Sequence, residues 1–168
     1  MSAGRTRLQR QPAGTREFPR PAPIGAGGTL LQSVKEGDYE DVKLRISKGE
    51  DITQQDDLGL TPLHYAARAG KGICLELLLN NGADPNRRCH LGRTPLHYAA
   101  RYGFSQVVGS LCRLGKSKTI NVDARDKSKW TPLHLAAEKG HPKVAQTLLT
   151  NGAKVDAVIE VGQPTSLT

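Results

Sequence analysis

Seven residues recur almost unchanged three times along the chain: TPLHYAA at Thr61–Ala67 and again at Thr94–Ala100, then TPLHLAA at Thr131–Ala137. The first two copies start 33 residues apart and the next two 37 apart. Two families of glycines keep the same beat, Gly37, Gly70, Gly103 and Gly140 in one phase and Gly49, Gly82, Gly115 and Gly152 in another. A unit this short cannot bury an apolar face alone, so units of this kind must stack. Counting back from Thr61 adds a degenerate first unit at 28–60, which lacks the TPLH motif but keeps both glycines. The expected units are 28–60, 61–93, 94–130 and 131–163, with residues 164–168 the start of a truncated fifth. No polar terminal cap is visible there, so the chain is expected to be a fragment of a longer protein.

Within each unit the residues spell two helices. Thr61, Thr94 and Thr131 are predicted N-caps, each followed by a proline whose missing N–H costs nothing in the first turn. A short helix such as PLHYAARAG follows, and a glycine with positive φ closes it. Its paired alanines let a neighbouring helix approach closely. The second helices, ICLELLLNNG, QVVGSLCRLG and KVAQTLLTNG, place Leu, Val and Ile on one face. The polar stretch from there to the next threonine reads as a hairpin-like loop. The predicted fold is an all-α repeat solenoid of stacked helix-turn-helix units with β-hairpin-like finger loops, and four extra residues near Lys116 should bulge outward.

The motif T-P-L-H-x-A at this period resembles the ankyrin-repeat signature, and the resemblance extends over residues 28–168. It implies antiparallel helix pairs, fingers along one edge, and a concave surface that binds proteins. Matched by position, it implies contacts at Lys35 and Glu36, then at Asp57, Leu58, Leu60, Arg68 and Ala69. A third set is His90, Leu91, Arg93, Arg101 and Tyr102. The fourth is Lys127, Ser128, Lys129, Trp130, Glu138 and Lys139. Lys129 departs from the glycines at 59, 92 and 162, and Trp130, the chain's one tryptophan, is expected to be solvated. Asn86, after Ala83-Asp84-Pro85 and a leucine run, is similar to sites used by the asparaginyl hydroxylase of ankyrin repeats, although Pro85 replaces the usual aliphatic residue.

Charge narrows the partner class. The formal net charge is +8. Residues 1–23 carry five arginines against Glu17, and their Arg/Pro/Gly-rich composition predicts a disordered arm over residues 1–27. Toward the C-terminal half the implied contact set is basic, so the expected partner is a protein with an acidic segment. Nucleic-acid or nucleotide binding is the rival expectation from the same charge. A regulatory role within a larger enzyme, channel or transcription factor is a third. Three separated cysteines predict a reducing compartment, cytoplasmic or nuclear, and no segment predicts membrane insertion. The module is expected to be monomeric.

No residue pattern predicts catalysis, a metal or a cofactor. His64, His97 and His134 hold the same place in successive units. Packed helices lie about 8–10 Å apart, whereas metal ligands lie about 2 Å from one ion. These histidines are therefore expected to hydrogen-bond locally at the helix start. Gly115-Lys116-Ser117 echoes a phosphate-binding loop, but Ser110 stands where the motif needs glycine. Cys74 and Cys112 are expected in the core, and Cys89 is expected to be an exposed finger thiol.

Overall fold

The chain is seen in a computed structural model, which describes residues 28–114 and 120–155. These residues form eight helices and no strand: α1 (Leu30–Glu36), α2 (Tyr39–Ser47), α3 (Pro62–Arg68), α4 (Gly72–Asn80), α5 (Pro95–Tyr102), α6 (Ser105–Leu114), α7 (Pro132–Glu138) and α8 (Pro142–Thr150). Each odd-numbered helix turns back on its even-numbered successor. The odd helices stack in order, α1 on α3, α3 on α5 and α5 on α7. The even helices form a second layer in the same order. The architecture is an all-α repeat solenoid. The proposed arm at 1–27, the four-residue insertion, the Gly115-Lys116-Ser117 segment and the fifth-unit start at 164–168 lie outside the described residues.

Local chemistry sets the helix ends. Thr61, Thr94 and Thr131 sit in extended conformation ahead of α3, α5 and α7, each with proline in the first turn. Thr29 caps α1 without a proline, accepting from the Gln32 amide at 3.4 Å. Gly37, Gly70, Gly103 and Gly140 all have positive φ, as the stop signal requires. Three of them also face a side chain of the next pair. A Cβ at Gly37 would strike Lys71, one at Gly70 would strike Phe104, and one at Gly103 would strike His141.

Between the layers lies a continuous apolar seam. Leu30, Val34, Val42, Leu63, Leu75, Leu78, Leu96, Val108, Leu111 and Leu148 are fully or almost fully buried. Ala66, Ala67, Ala99 and Ala100 have no exposure, and between α3 and α5 the His64 and Tyr98 rings also meet edge-on at 5.9 Å. Each buried Leu contributes about 1.5–3 kcal/mol of transfer free energy. Cys74 and Cys112 belong to this seam, and burial pushes both thiols up, Cys112 to about 11.

Candidate functional site

Three finger loops project between successive helix pairs, and their tips are tight turns. Asp56 N donates to Leu60 O at 3.1 Å, Cys89 N to Arg93 O at 2.9 Å, and Asp126 N to Trp130 O at 2.9 Å. The fingers also join one another: His90 N donates to Leu58 O and Lys127 N to Leu91 O, both at 3.0 Å. The hairpin-like expectation holds, although the pairing is too short to form a strand among the described residues.

At the turning position stand Gly59, Gly92 and Lys129, with φ of 74°, 72° and 66°. Lys129 is the only non-glycine with positive φ among the described residues. The next finger explains the difference. A Cβ at Gly59 would lie 2.7 Å from the His90 ring, and one at Gly92 would lie 3.0 Å from the Lys127 amide nitrogen. No described finger presses on Lys129, so a side chain fits there at the cost of backbone strain alone.

The recurrent histidine joins the helices to these fingers. The Thr61 amide donates to His64 Nδ1 at 3.1 Å, so that nitrogen carries a lone pair and Nε2 carries the hydrogen. His64 Nε2 then donates to the Arg93 carbonyl of the following finger at 3.0 Å. His97 repeats both contacts, from the Thr94 amide at 3.1 Å and to the Trp130 carbonyl at 3.0 Å. Burial holds both imidazoles near pKa 4, far below the usual histidine range. They are neutral structural ties, as the expectation of local hydrogen bonding at the helix start anticipated. Among the described residues no group of three or more His, Cys, Asp or Glu could hold a metal ion.

Carboxylates close two of the fingers. Asp56 Oδ1 accepts from the amides of Leu58 (3.0 Å) and Leu60 (2.8 Å), and its other oxygen accepts from the Tyr65 hydroxyl. Burial would raise this carboxyl, but the Tyr65 hydroxyl and the two amides outweigh it and hold it below its ordinary value. Asp126 Oδ1 accepts from Ser128 and Trp130 amides, both at 2.9 Å, and Oδ2 pairs with Arg93 Nε at 3.0 Å. Cys89 occupies the same place in the middle finger, its sulfur 3.5 Å from the Tyr98 hydroxyl. The sequence signal for this device was the recurrence of Asp56 and Asp126 at one offset from Thr61 and Thr131.

Several of the expected contact residues change character. Leu60 is 2% exposed and packs with Cys89 and Tyr98, so its side chain offers no surface to a partner. Cys89 is buried too, against the expectation of an exposed thiol, because the finger folds it under toward Tyr98. Trp130 is half-buried instead of solvated. Its ring meets His134 edge-on at 6.2 Å, and its amide and carbonyl are committed to Asp126 and His97. Arg93 is held by Asp126.

The remaining expected residues lie open. Asp57, Leu58, His90, Leu91, Lys127, Ser128 and Lys129 are exposed on the fingers. Arg68, Ala69, Tyr102, Glu138 and Lys139 are exposed at the ends of the odd helices, where Arg101 is half-buried. Cation–π contacts run between neighbouring pairs along this row: Lys35 Nζ lies 4.3 Å from the Tyr65 ring centre, and the Arg68 guanidinium 5.9 Å from that of Tyr102. Asn86, the candidate for modification, is half-buried, and its side-chain oxygen accepts from the Asn121 amide of the next finger at 2.8 Å.

Comparison with known proteins gives one answer throughout. Residues 30–126 match a family model described as ankyrin repeats in three copies, and residues 128–159 match the single ankyrin-repeat model. Over 134 residues, 79% of the chain, it is 32% identical to human protein phosphatase 1 regulatory subunit 27, of which the match covers 63%. Over 102 residues, 61% of the chain, it is 38% identical to the human transient receptor potential cation channel subfamily A member 1, covering 9% of that protein. A 46-residue stretch, 27% of the chain, is 46% identical to human ankyrin repeat domain-containing protein 49, covering 19% of it. The chain therefore spans under two thirds of the length of each of these relatives.

Proposed function

The chain belongs to the ankyrin-repeat family, and from that premise we propose that it is a non-enzymatic module that binds a protein partner through its finger tips and the exposed ends of its odd-numbered helices. Ankyrin repeats generally mediate protein–protein interaction, and one relative is named as a regulatory subunit of a phosphatase. The proposal divides the chain into the four units 28–60, 61–93, 94–130 and 131–163, acting as a monomer.

One observation carries the reading. Basic residues cluster along the finger and helix-end row, and four of them have no carboxylate partner among the described residues of the kind that holds other arginines. Arg45, Arg93 and Arg113 are paired with carboxylates, and Arg87 and Arg88 donate to Gln55 and to the Arg125 carbonyl. Arg68, which lies over the Tyr102 ring, half-buried Arg101, and exposed Lys127 and Lys129 make no ion pair among the described residues and share that row. Lys43, Lys48 and Lys143, also without an ion pair among the described residues, lie instead on or beside the even-numbered helices. An acidic segment is the partner chemistry that such a row attracts, with charge raising the association rate and its salt sensitivity.

The test uses a partner isolated on the immobilised chain. Arg101→Ala is expected to weaken it by about tenfold, whereas Lys43→Ala, on the far face of α2, leaves it unchanged. Equal binding by the two folded variants contradicts the docking face. Tight binding of unrelated oligonucleotides, falling steeply with salt, would favour a nucleic-acid ligand.

A further inference from the structure

Two large apolar side chains stand at the tips of neighbouring fingers. Leu58 is 61% exposed and Leu91 is 55% exposed. A single exposed leucine needs no explanation. These two hold the same position in successive fingers, and the His90 N to Leu58 O hydrogen bond joins their turns. A turn tip has no packing use for leucine, and the third finger has Ser128 there, with the same amide bond to the aspartate. Leu58 and Leu91 therefore form an apolar step over the first two fingers, and Tyr102, 44% exposed, adds a ring on α5.

Charge along the same row is unequal. Asp57, exposed beside Leu58, is the one carboxylate among the three tips, so an acidic ligand is repelled at that end. Lys127 and Lys129 stand on the third finger, with Arg101 on α5. Trp130, the aromatic candidate at the basic end, is already packed on His134.

We propose that the occupant of this row is an extended peptide segment of two-part chemistry, with an aliphatic residue on Leu58 and Leu91 and carboxylates running onto Arg101, Lys127 and Lys129. This rests on the docking face proposed above and adds the ligand's pattern and polarity. The spacing follows from geometry. Adjacent helix pairs lie about 8–10 Å apart and an extended chain advances about 3.3 Å per residue. The first carboxylate should therefore fall about three residues from the aliphatic anchor.

The experiment selects binders to the full chain from a displayed library of random linear peptides, then measures one enriched peptide in solution. Enrichment of a Leu or Ile followed or preceded at that spacing by Asp or Glu is expected. Leu58→Ser combined with Leu91→Ser, which copies the third finger's own tip, should weaken that peptide at least tenfold. Lys127→Ala should weaken it less and reduce its salt dependence. Enriched peptides without the pattern, no enriched peptide, or full affinity in the leucine variant each overturn the inference. If the leucine variant binds fully while Arg101→Ala does not, the docking face stands and only the two-part ligand fails. If neither substitution matters, the docking face fails with it. Thermal melts of every variant check that the fold is retained.

Discussion

Thr61, Thr94 and Thr131 open their helices in the same way, and His64 and His97 each reach forward to the next finger's carbonyl at 3.0 Å. The tips they support share almost nothing: Asp57-Leu58-Gly59, His90-Leu91-Gly92 and Lys127-Ser128-Lys129. The seam meets one packing problem repeatedly, with the same buried neighbours on both sides, so the same residues solve it each time. The tips meet solvent, and each copy is free to differ wherever the next finger does not press on it. The first pair departs from this pattern. Gln32 replaces the histidine and bonds within its own helix to Glu36 at 2.6 Å. Buried Arg45 gathers Ser33, Asp41 and Glu50 at 2.7–3.0 Å instead. The Ser33 hydroxyl and then Arg45 hold Asp41 below its usual carboxylate range.

The largest expected break in the seam is by acid. His64 and His97 titrate near 4 when folded and near 6.5 when unfolded. Between these values the unfolded chain binds protons that the native state does not, so stability rises with pH there and is flat above about 6.5. Each histidine accounts for about 3 kcal/mol across that window. Asp41 and Asp56, whose folded values are lowered, give up stability only below the ordinary carboxylate value, at more acid pH. Urea midpoints followed by circular dichroism from neutral pH to 4 should fall steeply, and His97→Gln should flatten the slope while lowering the neutral-pH value. A midpoint independent of pH across the window contradicts the neutral-tie assignment.

Next comes the apolar half of the seam. Leu78→Ala, at a fully buried α4 position, should cost about 2–5 kcal/mol. Because each pair touches only its neighbours, amide exchange should accelerate in α2 and α6 as well as α4. Exchange confined to residues 61–93 would mean that the pairs are not coupled through this seam.

These seam features were legible because repetition reports a shared environment: Thr-Pro at the caps, alanines between helices, glycine at each stop. Position alone also located most of the exposed finger row. It failed at Leu60, Cys89 and Trp130, which stand in loops yet fold back onto Tyr98 or His134. A loop position read from the repeat says where the backbone goes, while burial depends on the partner across the turn. The ion cluster around Arg45 was illegible for a related reason, since it occurs once and no second copy marks it.

A smaller effect tests the middle finger. Cys89 stands where Asp56 and Asp126 close the other two turns, and the Tyr98 hydroxyl lies beside it just as Tyr65 lies beside Asp56. Cys89→Asp should supply an acceptor for the Leu91 and Arg93 amides and raise stability by about 1 kcal/mol. A loss would show that the apolar cluster of Leu60, Cys89 and Tyr98 contributes more than the hydrogen bonds would.

The smallest expected change sharpens the contrast at a single φ. Lys129 holds 66° where the other fingers use glycine, and a left-handed conformation costs a side-chain-bearing residue about 1 kcal/mol. At Gly59 and Gly92 two constraints coincide, backbone angle and the press of the next finger. At Lys129 only the angle remains, so Lys129→Gly should stabilise the chain by about 1 kcal/mol in thermal melts, offset in part by glycine's greater freedom when unfolded. Gly59→Lys, meeting both constraints, should lose more than Lys129→Gly gains. If Lys129→Gly also slows association with an acidic peptide at low salt, the strained residue serves the surface at a cost to the fold. Unchanged association together with higher stability would leave its charge without a part in docking.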